Sequence, residues 1–242
     1  MKEISLFFIL LWAFSLKSQV TLSQTATQQT PLNNLTPTST INTWDVSDDQ
    51  FIGTRYFNDE YLDGELWTTN KTHYTDQMVY RFDEVENAVQ IKYKDSNKEV
   101  QLFSHNVVSL ELFFKGKKIT FLHVPEVNTD EPDRLYQVIY YTEKYKVVKL
   151  PMKKVVKFNN EEQAIGGDKR ANEYREENRY YLKEGNKGYV EFKLSKKGLI
   201  KAFPQHASKV ERIIKLPKYD SKISDATVFS ILQTIESENT TK

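Results

Sequence analysis

The strongest constraint on the fold is a period of two in hydrophobicity that runs through residues 77–124. Met78, Tyr80 and Phe82 fall on one side of an extended segment, with Arg81 on the other. Val89, Ile91 and Tyr93 alternate with Gln90, Lys92 and Lys94. Val100 and Leu102 flank Gln101, and Val108, Leu110, Leu112 and Phe114 are interleaved with Ser109 and Glu111. Successive strand side chains point to opposite faces, so the pattern predicts one buried and one wet face. Sheets of that kind are antiparallel. The connections at 84–87, 95–98 and 115–118 are short and rich in turn formers, too short for the crossover helix a parallel pair needs. Residues 119–124 are apolar on both faces and predict a central strand, covered on its second side by the C-terminal helices.

Further strands are expected at 135–142, at 145–150 and at 155–158, with Pro151 marking a break or an edge. The charged region 161–178, which holds Gly166-Gly167, reads as a long loop. A last hairpin is expected from 180–182 and 189–194, with Val190, Phe192 and Leu194 facing the core. Then the period lengthens. Ser195 suits the N-cap of a short helix carrying Leu199, Ala202 and Phe203 and halted at Pro204. Val210, Ile213 and Ile214 have the spacing of a second helix, ended by Pro217. A third starts at Ser224 or Asp225 and carries Val228, Ile231, Leu232 and Ile235 on one stripe. The fold class is therefore mainly β: a long curved antiparallel meander of about nine to twelve strands. It is expected to curl into an open barrel or fold into two layers, with the helices packed on it.

Upstream of the folded region the composition changes. Residues 1–18 read as a signal peptide, with Lys2 as its positive start and an apolar stretch at 4–14 too short to span a bilayer. Residues 19–43, rich in Thr, Gln, Ser, Asn and Pro, read as a disordered linker. The β domain is expected at 44–194, opening near Trp44, and the helices at 195–238. Removing Lys2, Lys17 and Glu3 with the signal peptide turns 34 basic and 33 acidic residues into 32 of each. A neutral chain argues against a nucleic-acid partner. There is no cysteine, which excludes thiol chemistry, a Cys-ligated metal and an N-terminal lipid anchor on Cys. Without a further long apolar run, the chain is not expected to span a membrane once the signal peptide is gone. A cysteine-free exported chain fits a bacterial periplasm or exterior, and the sequons at Asn34, Asn70 and Asn239 then have no glycan to carry.

The segment Gly53, Tyr56, Asn58, Glu60, Gly64, Trp67, followed by Tyr80-Arg81-Phe82 and the hairpin into Val89-Gln90-Ile91-Lys92, is the most distinctive stretch. It resembles a group of exported, uncharacterised β-rich proteins of Bacteroidota, over about residues 44–232. The resemblance implies export and a β-rich fold, and no activity.

Chemical motifs are sparse. His73, His105, His123 and His206 are scattered and form no HExxH pair, so no metal site or cofactor is expected, and His123 reads as a core histidine. No GxSxG or phosphate loop is present. Asp59, Glu60, Asp63 and Glu65 are numerous enough for carboxylate hydrolysis, but acidic groups near a turn usually bind backbone or water. Lys144, Lys146, Lys149, Lys153, Lys154 and Lys157 form one charge run. It suits contact with an anionic surface or, equally, the guarding of a sheet edge. Trp67, Tyr140 and Tyr141 suit stacking on a ligand or burial in the core. The reading that follows is a non-enzymatic envelope protein that binds an envelope protein, a glycan or a lipid. The alternatives are a carrier of an apolar ligand in an incomplete barrel and, third, a carboxylate hydrolase.

Overall fold

The computed structural model describes residues 51–95, 98–157, 172–216, 219 and 223–237. The expected signal peptide and linker, Trp44, Phe158, Gly166-Gly167 and Pro217 lie outside them.

The alternating segments form strands. β4 (Met78–Asp83) pairs antiparallel with β5 (Ala88–Tyr93), Tyr80 opposite Ile91 and Phe82 opposite Val89, and β6 (Glu99–Phe103) pairs with β5. There the expected continuous run breaks. After β6 the chain makes a 3-10 turn, Ser104–Asn106, and begins β7 (Val107–Phe114) in another part of the sheet. β7 pairs with β8 (Lys117–His123) on one side and β2 (Leu62–Thr68) on the other. β9 (Leu135–Tyr141), β10 (Tyr145–Leu150), β13 (Arg179–Glu184) and β14 (Val190–Phe192) follow. The strand order is β14-β13-β10-β9-β8-β7-β2-β4-β5-β6, with β3 (His73–Tyr74) beside β2. The sheet is antiparallel, has 11 strands and does not close.

β2 is the corner. Leu62 and Asp63 pair with β4, whereas residues 64–68 pair with β7. A Cβ on Gly64 would meet the Glu111 carbonyl oxygen at 2.1 Å, so the strand can turn this closely only where there is no side chain. Beyond the corner, β4–β6 fold over β7–β9. The rings of Phe82 and Phe121 lie 4.5 Å apart, although β4 and β8 would stand roughly 14 Å apart in a flat sheet. Leu66, Tyr80, Phe82, Val89, Ile91, Leu110, Leu112 and Phe121 fill the space between the layers, each fully buried.

The helices cover the other half of the same face. α1 (Lys196–Ala202) is capped by Ser195, whose hydroxyl accepts the Gly198 N–H at 3.1 Å. α2 (Ala207–Ile214) and α3 (Asp225–Ser237) bury the stripes expected of them against Tyr140, Tyr145, Val147, Tyr180 and Leu182. Each of Val228, Ile231, Leu232 and Ile235 is fully buried, worth roughly 1.5–3 kcal/mol of gross burial apiece. The expectation that the helices cover the second side of β8 is not met, because they pack on the β9, β10, β13 and β14 side of the other face. On the second side of β8, Leu122 packs with Val124, Val127, Tyr136, Val148, Leu150 and Tyr181. None of the described helices is long and apolar enough to cross a membrane.

Four further expectations change. Gln90 and Arg81 are not on a wet face. The 55–61 segment lies over them, with the Arg81 guanidinium 3.7 Å from the Tyr56 ring and 4.5 Å from the Tyr61 ring. β11 (Lys153–Val156) does not extend the main sheet beyond Pro151; it pairs with β12 (Asn172–Glu176), which pairs parallel with β1 (Phe51–Ile52). Residues 172–176 are thus strand rather than loop. Finally, Val190 is exposed, and Phe192 alone of β14 is buried.

Candidate functional site

Two of the exposed large apolar side chains, Trp67 and Val108, lie side by side where β2, β3 and β7 meet. Along β2 the alternation is regular: Gly64 and Leu66 are buried, while Asp63 and Trp67 face out. β7 departs from it. Trp67 lies opposite Ser109 and Thr68 opposite Val107, which leaves Val108 as the extra residue of a β-bulge. The bulge lets Val107 and Leu110 both reach the core and turns Val108 outward, where it is exposed. This is why Val108 is not on the core face that simple alternation gives it.

Trp67 is 43% exposed. Its partner across the strands is His73, and the two rings lie 3.8 Å apart and within 9° of parallel. The His73 ring is itself held by Glu65, whose Oε2 is 3.0 Å from Nε2. The connecting turn is closed by hydrogen bonds. Thr68 donates its N–H and its hydroxyl to the Thr72 carbonyl, each at 3.0 Å. The Asn70 side-chain oxygen accepts the Thr72 N–H at 3.2 Å. The Thr69 N–H reaches the Asn106 carbonyl at 3.0 Å, tying the turn to the one before β7.

Beside the indole is an open concavity of about 590 Å³ lined by Trp67, Thr68, Lys71, Val108 and Ser109. Among the described residues, the Ser109 hydroxyl and the Lys71 ammonium have no partner within the chain. The site therefore offers a fixed flat ring, an apolar flank and two free polar groups. It suits stacking and hydrogen bonding.

The other aromatic expectations divide. Tyr140 is buried; its hydroxyl donates to Glu236 at 2.7 Å and its ring packs edge-on to Phe229 at 5.5 Å. It fastens α3 to the sheet and is not placed to meet a ligand. Tyr141 is 50% exposed, on strand β9, apart from Trp67.

The lysine run does not form one cationic face. Lys149 is buried and its ammonium donates to Asp225 at 3.0 Å. Lys153 pairs with Glu84 at 2.8 Å, both nearly buried. These two cannot meet an anionic surface, because β10 is an inner strand and Lys153 is held against the β4–β5 turn, where its N–H also donates to the Glu84 carbonyl at 3.1 Å. Lys154 is exposed and pairs with Glu177 at 3.6 Å. Lys144 and Lys146 lie over the rings of Tyr145 and Tyr141, at 5.3 and 4.7 Å.

The carboxylates near the first turn have partners within the fold: Asp63 pairs with Lys94 at 2.7 Å, and Glu65 lies at hydrogen-bond distance from His73. His123 bonds the Pro132 carbonyl at 3.1 Å, a satisfied, largely buried histidine. Sequence reasoning missed His73 and Val108. The polar run Thr68-Thr69-Asn70-Lys71-Thr72 is a hairpin signal that would have set His73 opposite Trp67. Nothing in the sequence marks the bulge.

No family model, no characterised protein and no solved structure matches this chain.

Proposed function

We propose that this protein is an exported, non-enzymatic binding module of a bacterial envelope, that Trp67 is its contact residue, and that its ligand is a glycan. The observation that supports the reading is the exposed indole held parallel to His73. A ring already fixed before binding loses little freedom on contact, and Trp is enriched among the residues that dominate contact surfaces. A sugar ring would lay its apolar face on the indole while its hydroxyls meet Ser109 and Lys71. The carrier reading has less support, since the side chains named above occupy the space between the layers. Export rests on the apolar segment behind Lys2 and on the resemblance to exported proteins of Bacteroidota.

The test is a fluorescence titration of the protein and its Trp67→Ala variant with oligosaccharides derived from chitin, xylan and glucan. Saturable quenching of the native protein with one series, and no binding heat for that series with the variant in calorimetric titration, is the expected result. A panel that leaves the native fluorescence unchanged, or a variant that binds as the native protein does, counts against the reading.

A further inference from the structure

A second site lies on the same sheet face, in a single row across four strands. Tyr141 of β9 is opposite Lys146 of β10, and Lys146 is opposite Lys183 of β13. The β13–β14 register, carried one residue past Leu182 and Val190, sets Tyr189 opposite Lys183. Lys146 lies over the Tyr141 ring at 4.7 Å and Lys183 over the Tyr189 ring at 5.3 Å.

Two ammonium groups directly opposite one another on a sheet repel. The other half-buried or buried lysines on strands have each found a carboxylate: Lys92 has Glu99, Lys149 has Asp225 and Lys153 has Glu84. Among the described residues, Lys146 and Lys183 have none. None of the nearby acids forms an ion pair with either lysine: Glu191 is opposite Tyr181 and acts on Arg179, Glu126 is near enough to act on Tyr189, and Glu143 is exposed in the turn before β10. Exposed Lys144, two residues from Lys146, adds a third cation beside them. Burial, then Tyr141 and Glu126, push the Tyr189 hydroxyl up to about 12, so it remains a hydrogen-bond donor at neutral pH.

We propose that Lys146 and Lys183, flanked by Tyr141 and Tyr189, bind a phosphate group. Two cations and two phenols supply charge and donors for a tetrahedral oxyanion, and the anion removes the repulsion between the lysines. The phosphate belongs either to a lipid headgroup or to a soluble or glycan-borne phosphate. The site is separate from Trp67 and stands or falls without it.

The experiment is thermal unfolding of the full chain with inorganic pyrophosphate and with sodium chloride at matched ionic strength. It includes Lys146→Gln, Lys183→Gln and the distant exposed control Lys117→Gln. Pyrophosphate at ten times its Kd should raise Tm by about 3 °C in the native protein and the control. Both site variants should lose that rise, and each should melt above the native protein without anion, because the repulsion is gone. An equal rise with chloride, or a rise retained in both site variants, overturns the proposal. Flotation with phosphatidylcholine vesicles containing about one-fifth phosphatidylglycerol then identifies the source. Binding that needs the anionic lipid and Lys183 assigns the phosphate to a headgroup. A pyrophosphate response without vesicle binding assigns it to a soluble or glycan-borne group.

Discussion

The side chain of Asn87 pairs with the backbone of Leu135 as a second peptide group would: Nδ2 donates to the Leu135 carbonyl at 3.1 Å and Oδ1 accepts the Leu135 N–H at 2.7 Å. Asn87 sits in the β4–β5 turn at φ 53°, and Leu135 opens β9, so this amide joins the two layers. The Ser104 hydroxyl adds a bond to Oδ1 at 2.7 Å. Asn is favoured here because it tolerates the left-handed region and carries both a donor and an acceptor.

Asn87→Ala therefore removes both links, leaves the buried N–H and carbonyl of Leu135 without these partners, and puts at φ 53° a residue that tolerates the left-handed region less well than Asn. The expected cost is about 3 kcal/mol, read as a lower urea midpoint at unchanged slope. Asn87→Gly keeps the backbone and isolates the amide, at about 2 kcal/mol. If both variants unfold within experimental error of the native protein, Asn87 does not hold the layers together.

Gly64→Ala is the matching test of the corner. Its Cβ would fall 2.1 Å from a backbone oxygen and 3.2 Å from the Tyr80 ring, neither of which is a mobile side-chain end. The expected loss is about 3 kcal/mol or more, since β2 must part from β7 or β4. Gly188→Ala meets nothing within 4 Å and should change stability by less than about 0.5 kcal/mol. Equal melting of the two variants would count against the corner.

Much of the architecture was legible because hydrophobic period is a local signal. The strands β4, β5 and β7 and the stripes of α2 and α3 are spelled out in consecutive residues. Which strand neighbours which is not local: nothing in 62–68 says that it slots between β4 and β7. In the sequence Gly64 is only one member of the 53–67 pattern, and its need for no side chain shows when the carbonyl of Glu111 is beside it. The site shows the same division. Trp67 stands out by type, whereas Val108 is turned outward by a one-residue mismatch between two strands. Lys149 and Lys153 look like solvated charges in a run, and only the fold brings Asp225 and Glu84 to them.

Asp225 gives a test of how the helices are held. It begins α3 and accepts hydrogen bonds from Lys149 at 3.0 Å and Tyr180 at 2.8 Å. Asp225→Ala leaves the Lys149 ammonium buried without its partner, at an expected cost of about 2–3 kcal/mol, discounted because Asp225 is partly exposed. The double variant Lys149→Met with Asp225→Leu should recover most of that loss, since the lone charge has gone. Urea unfolding followed by circular dichroism distinguishes the two. A double variant no more stable than Asp225→Ala would show that packing, not the uncompensated charge, sets the cost.

The tyrosines set the alkaline limit. Burial, the leading cause in each case, raises the hydroxyls of Tyr61, Tyr80, Tyr136 and Tyr180 above their ordinary value. Burial followed by the Glu236 carboxylate takes Tyr140 to about 12. An unfolded tyrosine ionises near pH 10, so above that pH the unfolded chain holds fewer protons than the native one. Stability is then fully present below about pH 10 and falls as pH rises towards the native values. One such tyrosine contributes a slope of about 1.4 kcal/mol per pH unit, and several act together here. Urea midpoints should be flat up to about pH 10 and drop steeply beyond it, with most phenolate absorbance appearing only as the chain unfolds. Full phenolate absorbance at pH 10 to 11 with native circular dichroism would mean that these hydroxyls are not shielded, and the burial argument would fail.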